Sequence, residues 1–551
     1  MSAVGDPSEA SIDAVSDQQA GSAERTRAAG RMAAVTAVSR ATGFARTITV
    51  AAVLGATYLG NTYQTANAVP NLLFELFAAG ALQAVLVPVM VDAIDRSRED
   101  AERAAGAVLG AALTLLAGVM AAGLVAAPWL MRVLFSGVPD AATRAAEVEL
   151  GTFFMWFFLP QVLFYALNLV ATAVLNATGR FSLPAFAPTV NNVVVIATYL
   201  LFAWLRHGEP PSLELTGAQQ LVLAVGTTLG VVAFCVVPFI GVWRTGFRLR
   251  PRIDLRHPMV ARVARQGAWA AGFLAASQLL LGVMLVLANG SEGGVVVQQL
   301  AYVLFLLPVS LLAVPVFTTA FPTMTRRATA NDWSGYSDEV GRVARSVVFL
   351  TVLSAAGLVA LSAPLSRLVA LGNASVQSIE VERAIAAFAV GLPGFAMVLF
   401  LTRASYARRV VRTPTMVNVL VAAFGAVIML GLVQVVEPGW RIAILGLGNA
   451  LAQSVGAVLL TVELRTDLIA RGQRLRGQLL PALRVALAAV IAIGCCRWIV
   501  ERLAPNDVVS AAVAVVVGGA IVAAIGIGIV SLLGGPRPSA LVTSLGGATR
   551  S

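Results

Sequence analysis

Apolar segments long enough to cross a bilayer follow one another along nearly the whole chain, and this constrains its fold more than any other feature. They run over 32–55, 62–92, 105–132, 150–174, 185–205 and 218–243, then 266–288, 295–322, 346–370, 384–402, 414–435 and 441–462, and finally 480–500 and 508–534. A helix needs about 20 predominantly apolar residues to span the hydrocarbon core, so these read as about fourteen transmembrane helices. Inside lipid every backbone N–H and C=O must be satisfied within the protein, and runs of this length do so as helices. Of the 551 residues 58% are hydrophobic and 12% charged, about half the charged share of a soluble chain. Too little polar surface exists to cover an exterior in water, so the bilayer is the solvent. The expected fold is an all-α polytopic membrane bundle.

Charge supports the count independently. The net charge of +11 comes from arginine alone, with no lysine in the chain, a bias that fits a GC-rich bacterial genome. The arginines gather in the even-numbered connections: Arg96, Arg98 and Arg103, then Arg180, then Arg244, Arg248, Arg250, Arg252, Arg256, Arg262 and Arg265. The pattern continues with Arg326 and Arg327, with Arg403, Arg408, Arg409 and Arg412, and with Arg465, Arg471, Arg474 and Arg476. Odd-numbered connections such as 56–61, 289–294 and 371–382 are neutral or acidic. By the positive-inside rule both termini are cytoplasmic in a plasma (inner) membrane. Because the basic charge follows topology, no nucleic-acid partner is expected. Cys235, Cys495 and Cys496 fall in hydrophobic stretches and read as buried, inert thiols. No metal-ligand spacing is visible, and no metal or cofactor is expected.

The chain also repeats itself. Pro188-Thr189-Val190-Asn191-Asn192 opens the fifth span and Pro414-Thr415-Met416-Val417-Asn418 the eleventh. Leu159-Pro160 is matched by Leu392-Pro393, and Pro70 in span two by Pro308 in span eight, all at offsets of 226–238 residues. An offset of six spans preserves orientation, so the two units are parallel repeats about an axis normal to the membrane. The expected organisation is a disordered cytoplasmic tail (1–30), a six-helix lobe (31–245), a basic linker (246–265), a second six-helix lobe (266–465), a basic loop (466–479), two extra helices (480–535) and a tail (536–551).

Ionisable groups inside a membrane are costly and default to functional candidates. Arg40 and Arg46, six residues apart in the first span, share one broad side of a helix only loosely. They read either as a cationic lining that holds a phosphate or as interfacial side chains, one paired to Glu75. Glu75, with Asn61 and Asn71, is a candidate for tuning such a site. Pro70, Pro308, Gly43 and Gly80 are hinge candidates because proline and glycine loosen a helix. Trp129, Trp156, Trp243, Trp440 and Trp498, near span ends, read as interfacial anchors. Both histidines, His207 and His257, lie in loops, and no nucleophile–base pair or phosphate-binding glycine loop stands out. With a first outer loop (56–61) that is tiny and uncharged, an enzyme is not expected.

Ser39-Arg40-x-x-Gly43-Phe44-x-Arg46, Pro70-Asn71-Leu72-Leu73, Phe77-Ala78-Ala79-Gly80-Ala81, Ala127-Pro128-Trp129 and the stretch from Arg180 to Thr189 resemble the MviN/MurJ lipid II flippases, of which this chain looks like a divergent member. The resemblance implies a two-lobed, fourteen-helix exporter, a lipid-linked anionic precursor (an undecaprenyl- or decaprenyl-pyrophosphate glycan) as cargo, and contact with membrane lipids and cell-wall synthesis proteins. It implies that Arg40 and Arg46 reach the pyrophosphate from a central cavity. The family's pattern also calls for arginine where Phe74 and Val303 stand, an acid at Ala79 and an aspartate at Asn61, so the cationic pocket is depleted here. Three functions follow: a lipid II flippase working by alternating access, a carrier on the same fold for another polyprenyl-linked glycan or for drugs or cations, or a non-transporting scaffold for cell-wall enzymes.

Overall fold

The computed structural model describes residues 30, 34–76, 80–254, 258–474, 479–503, 505 and 507–532. The tail 536–551, the tail 1–30 apart from residue 30, and Phe77, Ala78 and Ala79 of the family motif lie outside the described residues. Among the described residues there is helix and no strand. The first repeat comprises α1 (34–54), α2 (Tyr58–Phe74), α3 (Gly80–Arg96), α4 (Arg98–Leu134), α5 (Ala141–Phe158), α6 (Gln161–Ala177), α7 (Ser182–Leu205) and α8 (Gly217–Arg244). The second comprises α9 (Pro258–Asn289), α10 (Gly294–Pro308), α11 (Val314–Thr329), α12 (Trp333–Ala360), the short α13 (Ser362–Val369), α14 (Ser378–Val390), α15 (Leu392–Ala407), α16 (Arg412–Val433) and α17 (Arg441–Ala470). Two further helices, α18 (Leu479–Leu503) and α19 (Val508–Leu532), pack on one another and against α12 and α13.

Eleven segments are long and apolar enough to cross a membrane, and α14 with α15, bent by 43°, belongs to a twelfth. Two expected spans fall outside this set. In α1 the arginines at 40 and 46 dilute the apolar run, and the second span is described as α2 and α3, with residues 77–79 between them outside the described residues. These two join the twelve in matching the expected order of segments. Of all of them α14 with α15 is bent at a break, and in three others the helix is disturbed locally beside a proline. Leu159-Pro160 separates α5 from α6, and Pro393, in the first turn of α15, follows the break at Gly391. Proline lacks an N–H and its ring crowds the carbonyl four residues back, so the helix must bend or widen there. Past Pro308 the chain runs as a π-helix over Val309–Ala313, and past Pro70 residues 75–76 take the same wide turn.

Packing repeats along with the sequence. α2 lies on α5 as α10 lies on α14; α4 on α6 as α12 on α15; α6 on α8 as α15 on α17; α7 on α8 as α16 on α17. The Pro-Thr-x-x-Asn motif has the same task in both repeats. Asn192 Nδ2 on α7 donates to Ser39 O (3.4 Å) and Thr42 Oγ1 (3.2 Å) on α1, beside Gly43. Asn418 Nδ2 on α16 donates to Phe273 O (2.7 Å) and Ser277 Oγ (2.8 Å) on α9. A buried amide at this position ties the fifth span of each unit to the first.

Several helices outrun their apolar cores. α4 begins at Arg98 rather than 105, α9 at Pro258 rather than 266, and α12 at Trp333 rather than 346. Hydropathy marks the stretch inside hydrocarbon, whereas charged turns continue the helix into water, as where Arg103 pairs with Glu99 one turn back at 2.8 Å. Exposed positions on the outer helices are aliphatic, such as Val193, Leu200 and Leu201 on α7 and Val419, Leu420 and Val427 on α16. Of the three thiols expected to be buried, Cys235 and Cys496 are, but Cys495 is exposed. Consecutive residues on a helix point about 100° apart, so Cys495 turns outward while Cys496 turns onto α19, its Sγ 3.6 Å from Gly518 O.

Candidate functional site between the repeats

The bundle has an arginine-rich end and an arginine-poor end, and at the second the two repeats close on each other. Asn61 carries the central contact. Its Nδ2 donates to Ser291 O at 2.8 Å, and its Oδ1 accepts from Val295 N–H at 2.9 Å. Val295 stands in the first turn of α10, where backbone donors have no intrahelical partner, and the residue before that helix, Gly293, has no side chain to cap them. Asn61 therefore caps a helix of the opposite repeat. One turn along α2, Thr65 Oγ1 donates to Asn289 Oδ1 (3.1 Å), and Asn289 Nδ2 donates to Leu134 O (3.2 Å). Asn373 Nδ2 adds a bond to Val53 O at 3.1 Å. The backbones touch so closely that Gly293, at φ +68°, has no room for a Cβ against the Ala56 backbone. Positive φ and close approach together require glycine here.

Behind this seal lies a polar core in the first repeat. The Tyr63 hydroxyl is 3.0 Å from the Tyr199 hydroxyl and 2.6 Å from Thr227 Oγ1, which in turn donates to Leu223 O at 2.6 Å. Tyr63 is wholly buried, its ring edge-on to Phe154, Phe158 and Tyr199 at 5.7–5.8 Å. Arg46 on α1 lies within electrostatic range of Tyr199, Tyr63 and Tyr165. The cation thus faces phenols rather than a carboxylate. Glu147 on α5 is also completely buried; its Oε1 is 3.1 Å from the Thr62 hydroxyl and its Oε2 has no partner among the described residues.

The other candidates from the sequence take separate places. Arg40 is exposed on α1, two turns from Arg46 toward the arginine-rich end. Glu75 is half-buried in the wide turn after α2, and no ion pair among the described residues joins it to Arg40 or Arg46. Asn71 donates to Asn67 O of its own helix at 3.0 Å. Asn61 lies inside α2, not in a connecting loop, and is drawn to the seal rather than to the arginines. Pro70 and Pro308 each precede a π turn, Gly43 adjoins the Asn192 clamp, and Gly80 opens α3. Sequence reasoning missed Tyr63, Tyr199 and Glu147. Tyrosine is scarce, 7 in 551 residues, but nothing local marks Tyr63, Tyr165 and Tyr199, which stand on three different helices.

A family model described as lipid II flippase MurJ matches residues 50–521. The chain belongs to the MurJ lipid II flippase family. It is 29% identical over 480 residues to the lipid II flippase MurJ of Burkholderia cenocepacia, covering 84% of this chain and 88% of that one. To the probable lipid II flippase MurJ of Vibrio cholerae it is 27% identical over 497 residues, covering 86% and 89%. Among solved structures, lipid II flippase MurJ in an inward closed conformation superposes with a TM-score of 0.70 at 18% identity, covering 90% of this chain and 98% of that one. An inward-facing multidrug resistance MATE family transporter of the MOP superfamily follows the same fold, with a TM-score of 0.64 at 16% identity and coverage of 78% and 94%. The chain is therefore a multi-pass membrane protein of a transporter family. Against the family pattern, Phe74 fills its position with an aromatic contact, its ring 5.1 Å from Tyr165, and Val303 is half-buried on α10.

Proposed function

We propose that this chain moves lipid II, the lipid-linked precursor of peptidoglycan, between the leaflets of the bacterial plasma membrane by alternating access of its two repeats. The observation that carries the reading is the seal built by both repeats at the arginine-poor end, on a fold shared with MurJ. A carrier closed at one end by hydrogen bonds between its units, with helices loosened beside prolines in four spans, can exchange which end is shut. With the arginine-rich end cytoplasmic and both termini inside, the sealed end faces outward. Arg46, close to Tyr199, Tyr63 and Tyr165, and the exposed Arg40 then provide the cationic wall for the diphosphate. The carrier lipid, undecaprenyl or decaprenyl, stays in the bilayer while the headgroup crosses. Outward passage of an anion is favoured by ~2.3 kcal/mol per charge per 100 mV of inside-negative potential, a source of drive that needs no nucleotide. Cell-wall synthesis proteins are the expected neighbours.

The test is reconstitution of the full chain into vesicles with fluorescent lipid II, whose appearance in the opposite leaflet is followed by a headgroup-directed reagent. Transfer well above protein-free vesicles, lost in R40A/R46A protein that still inserts, supports the reading. Transfer at the protein-free rate sinks it. Phe74 and Val303, apolar where the family pattern calls for arginine, favour a second reading: the same carrier acting on a polyprenyl-linked glycan of lower charge. Depletion in cells separates the two by which lipid-linked intermediate accumulates on the inner face.

A further inference from the structure

The exposed face of α11 is not aliphatic. Its exposed residues are Pro315, Thr318, Thr319, Pro322, Arg326 and Thr329, spaced to form one stripe, in contrast to the valines and leucines that α7 and α16 present. Polar side chains at membrane depth face a water-filled cavity rather than lipid. Against this stripe lies Arg403, on α15 four residues before its end. Its Nη1 donates to Thr318 Oγ1 at 2.6 Å, and its Cζ stands 4.5 Å above the ring of the buried Phe317. No carboxylate among the described residues pairs with it. The contrast with Arg408, five residues on, is direct: that guanidinium is buried and forked between Glu463 (2.8 Å) and Asp467 (2.6 Å). Arg408 is spent on structure. Arg403 is held in place by a hydroxyl and a ring face that leave its charge uncompensated and most of its five N–H donors free.

We propose that Arg403, positioned by Thr318 and Phe317, binds the diphosphate of the lipid-linked cargo at the arginine-rich mouth of the cavity. The inference rests on the lipid-diphosphate reading and deepens it, by assigning the second repeat a cation that the family pattern does not. Val303, where that pattern calls for arginine, lies on α10, on the far side of the π-helical stretch Val309–Ala313 from Thr318 and so deeper in the bundle from the arginine-rich end. The cation of this repeat is therefore displaced toward the entrance, where it captures the headgroup before Arg46 receives it. Planar guanidinium donors suit two phosphate oxygens at once, which a lysine ammonium does not reproduce.

The full chain, purified in nanodiscs, is titrated with undecaprenyl pyrophosphate and, separately, with undecaprenol, which has the tail but no phosphate, and bound lipid is counted by native mass spectrometry. R403Q is expected to weaken pyrophosphate binding about tenfold, as for a lost charge-assisted pair, and to leave undecaprenol binding within twofold. R403K recovers only part of the loss. T318V keeps the charge but frees the side chain, and is expected to weaken binding about threefold; it serves as the test should R403Q fail to fold. Parental binding of both lipids in R403Q and T318V overturns the assignment while the flippase reading stands. Equal weakening of both lipids also overturns it, since the role is then structural. A parent that does not distinguish the diphosphate from the alcohol refutes the lipid-diphosphate reading itself, and this assignment with it.

Discussion

Replacing Asn61 with alanine removes both hydrogen bonds by which the first repeat holds the start of α10. Each is worth about 1 kcal/mol net, and the loss leaves Val295 N–H buried without an acceptor, which costs about 1–3 kcal/mol alone. No side chain precedes α10 to take over, because Gly293 occupies the cap position and its φ of +68° beside the Ala56 backbone excludes a larger residue. The sealed state should therefore lose about 2–4 kcal/mol relative to a state in which water reaches these groups, a shift of roughly thirtyfold to several hundredfold. A cysteine placed at Ala56, in a background without Cys235, Cys495 and Cys496, reports the opening through its rate of labelling by a membrane-impermeant maleimide. N61A should raise that rate by at least about thirtyfold, until the open state dominates. N61D keeps the acceptor for Val295 and loses the donor to Ser291 O, so it should fall between parent and N61A. A labelling rate for N61A within twofold of the parent would show that the seal is held elsewhere.

Further outcomes follow from the same geometry. G293A should open the seal as strongly as N61A, since a left-handed backbone costs an alanine about 1–2 kcal/mol and its Cβ must also displace Ala56; the same labelling assay reads it. Y63F removes a hydroxyl placed between Tyr199 and Thr227, and should lower stability by about 1 kcal/mol in a thermal melt, because Thr227 retains its bond to Leu223 O. R408A leaves Glu463 without its cation while Asp467 keeps Arg471 at 3.1 Å, and should cost about 3 kcal/mol, the lower end for a broken buried pair because both acids are about a quarter exposed. N192A and N418A should destabilise the protein by similar amounts, about 1–2 kcal/mol each, since the two amides perform the same task; a large inequality would argue against equivalent repeats.

Much of the site was not legible along the chain. Arg46 could be singled out because a charge in an apolar span is conspicuous, but its surroundings of Tyr199, Tyr63 and Tyr165 come from three other helices. Glu147 stands six residues from Phe153 with nothing local to show that it is enclosed, and Arg403 reads as one more loop arginine because Arg408 and Arg409 follow it closely. Asn61 was read as a neighbour of the arginines, whereas its partners are 230 and 234 positions away.

What the sequence determined by itself was the solvent, the helices and their duplication. Hydropathy over about 20 residues decides whether a segment spans, and a proline disturbs its own turn, so the fourteen segments and the disturbed turns near Pro70, Pro160, Pro308 and Pro393 could be read locally. The tertiary structure alone decided which polar groups meet. In lipid an isolated asparagine, tyrosine or arginine has no favourable partner nearby in the chain, so it is satisfied by whichever helix the packing brings beside it. Asn61 capping α10, Tyr63 bridging Tyr199 and Thr227, and Arg403 resting on Phe317 are of that kind.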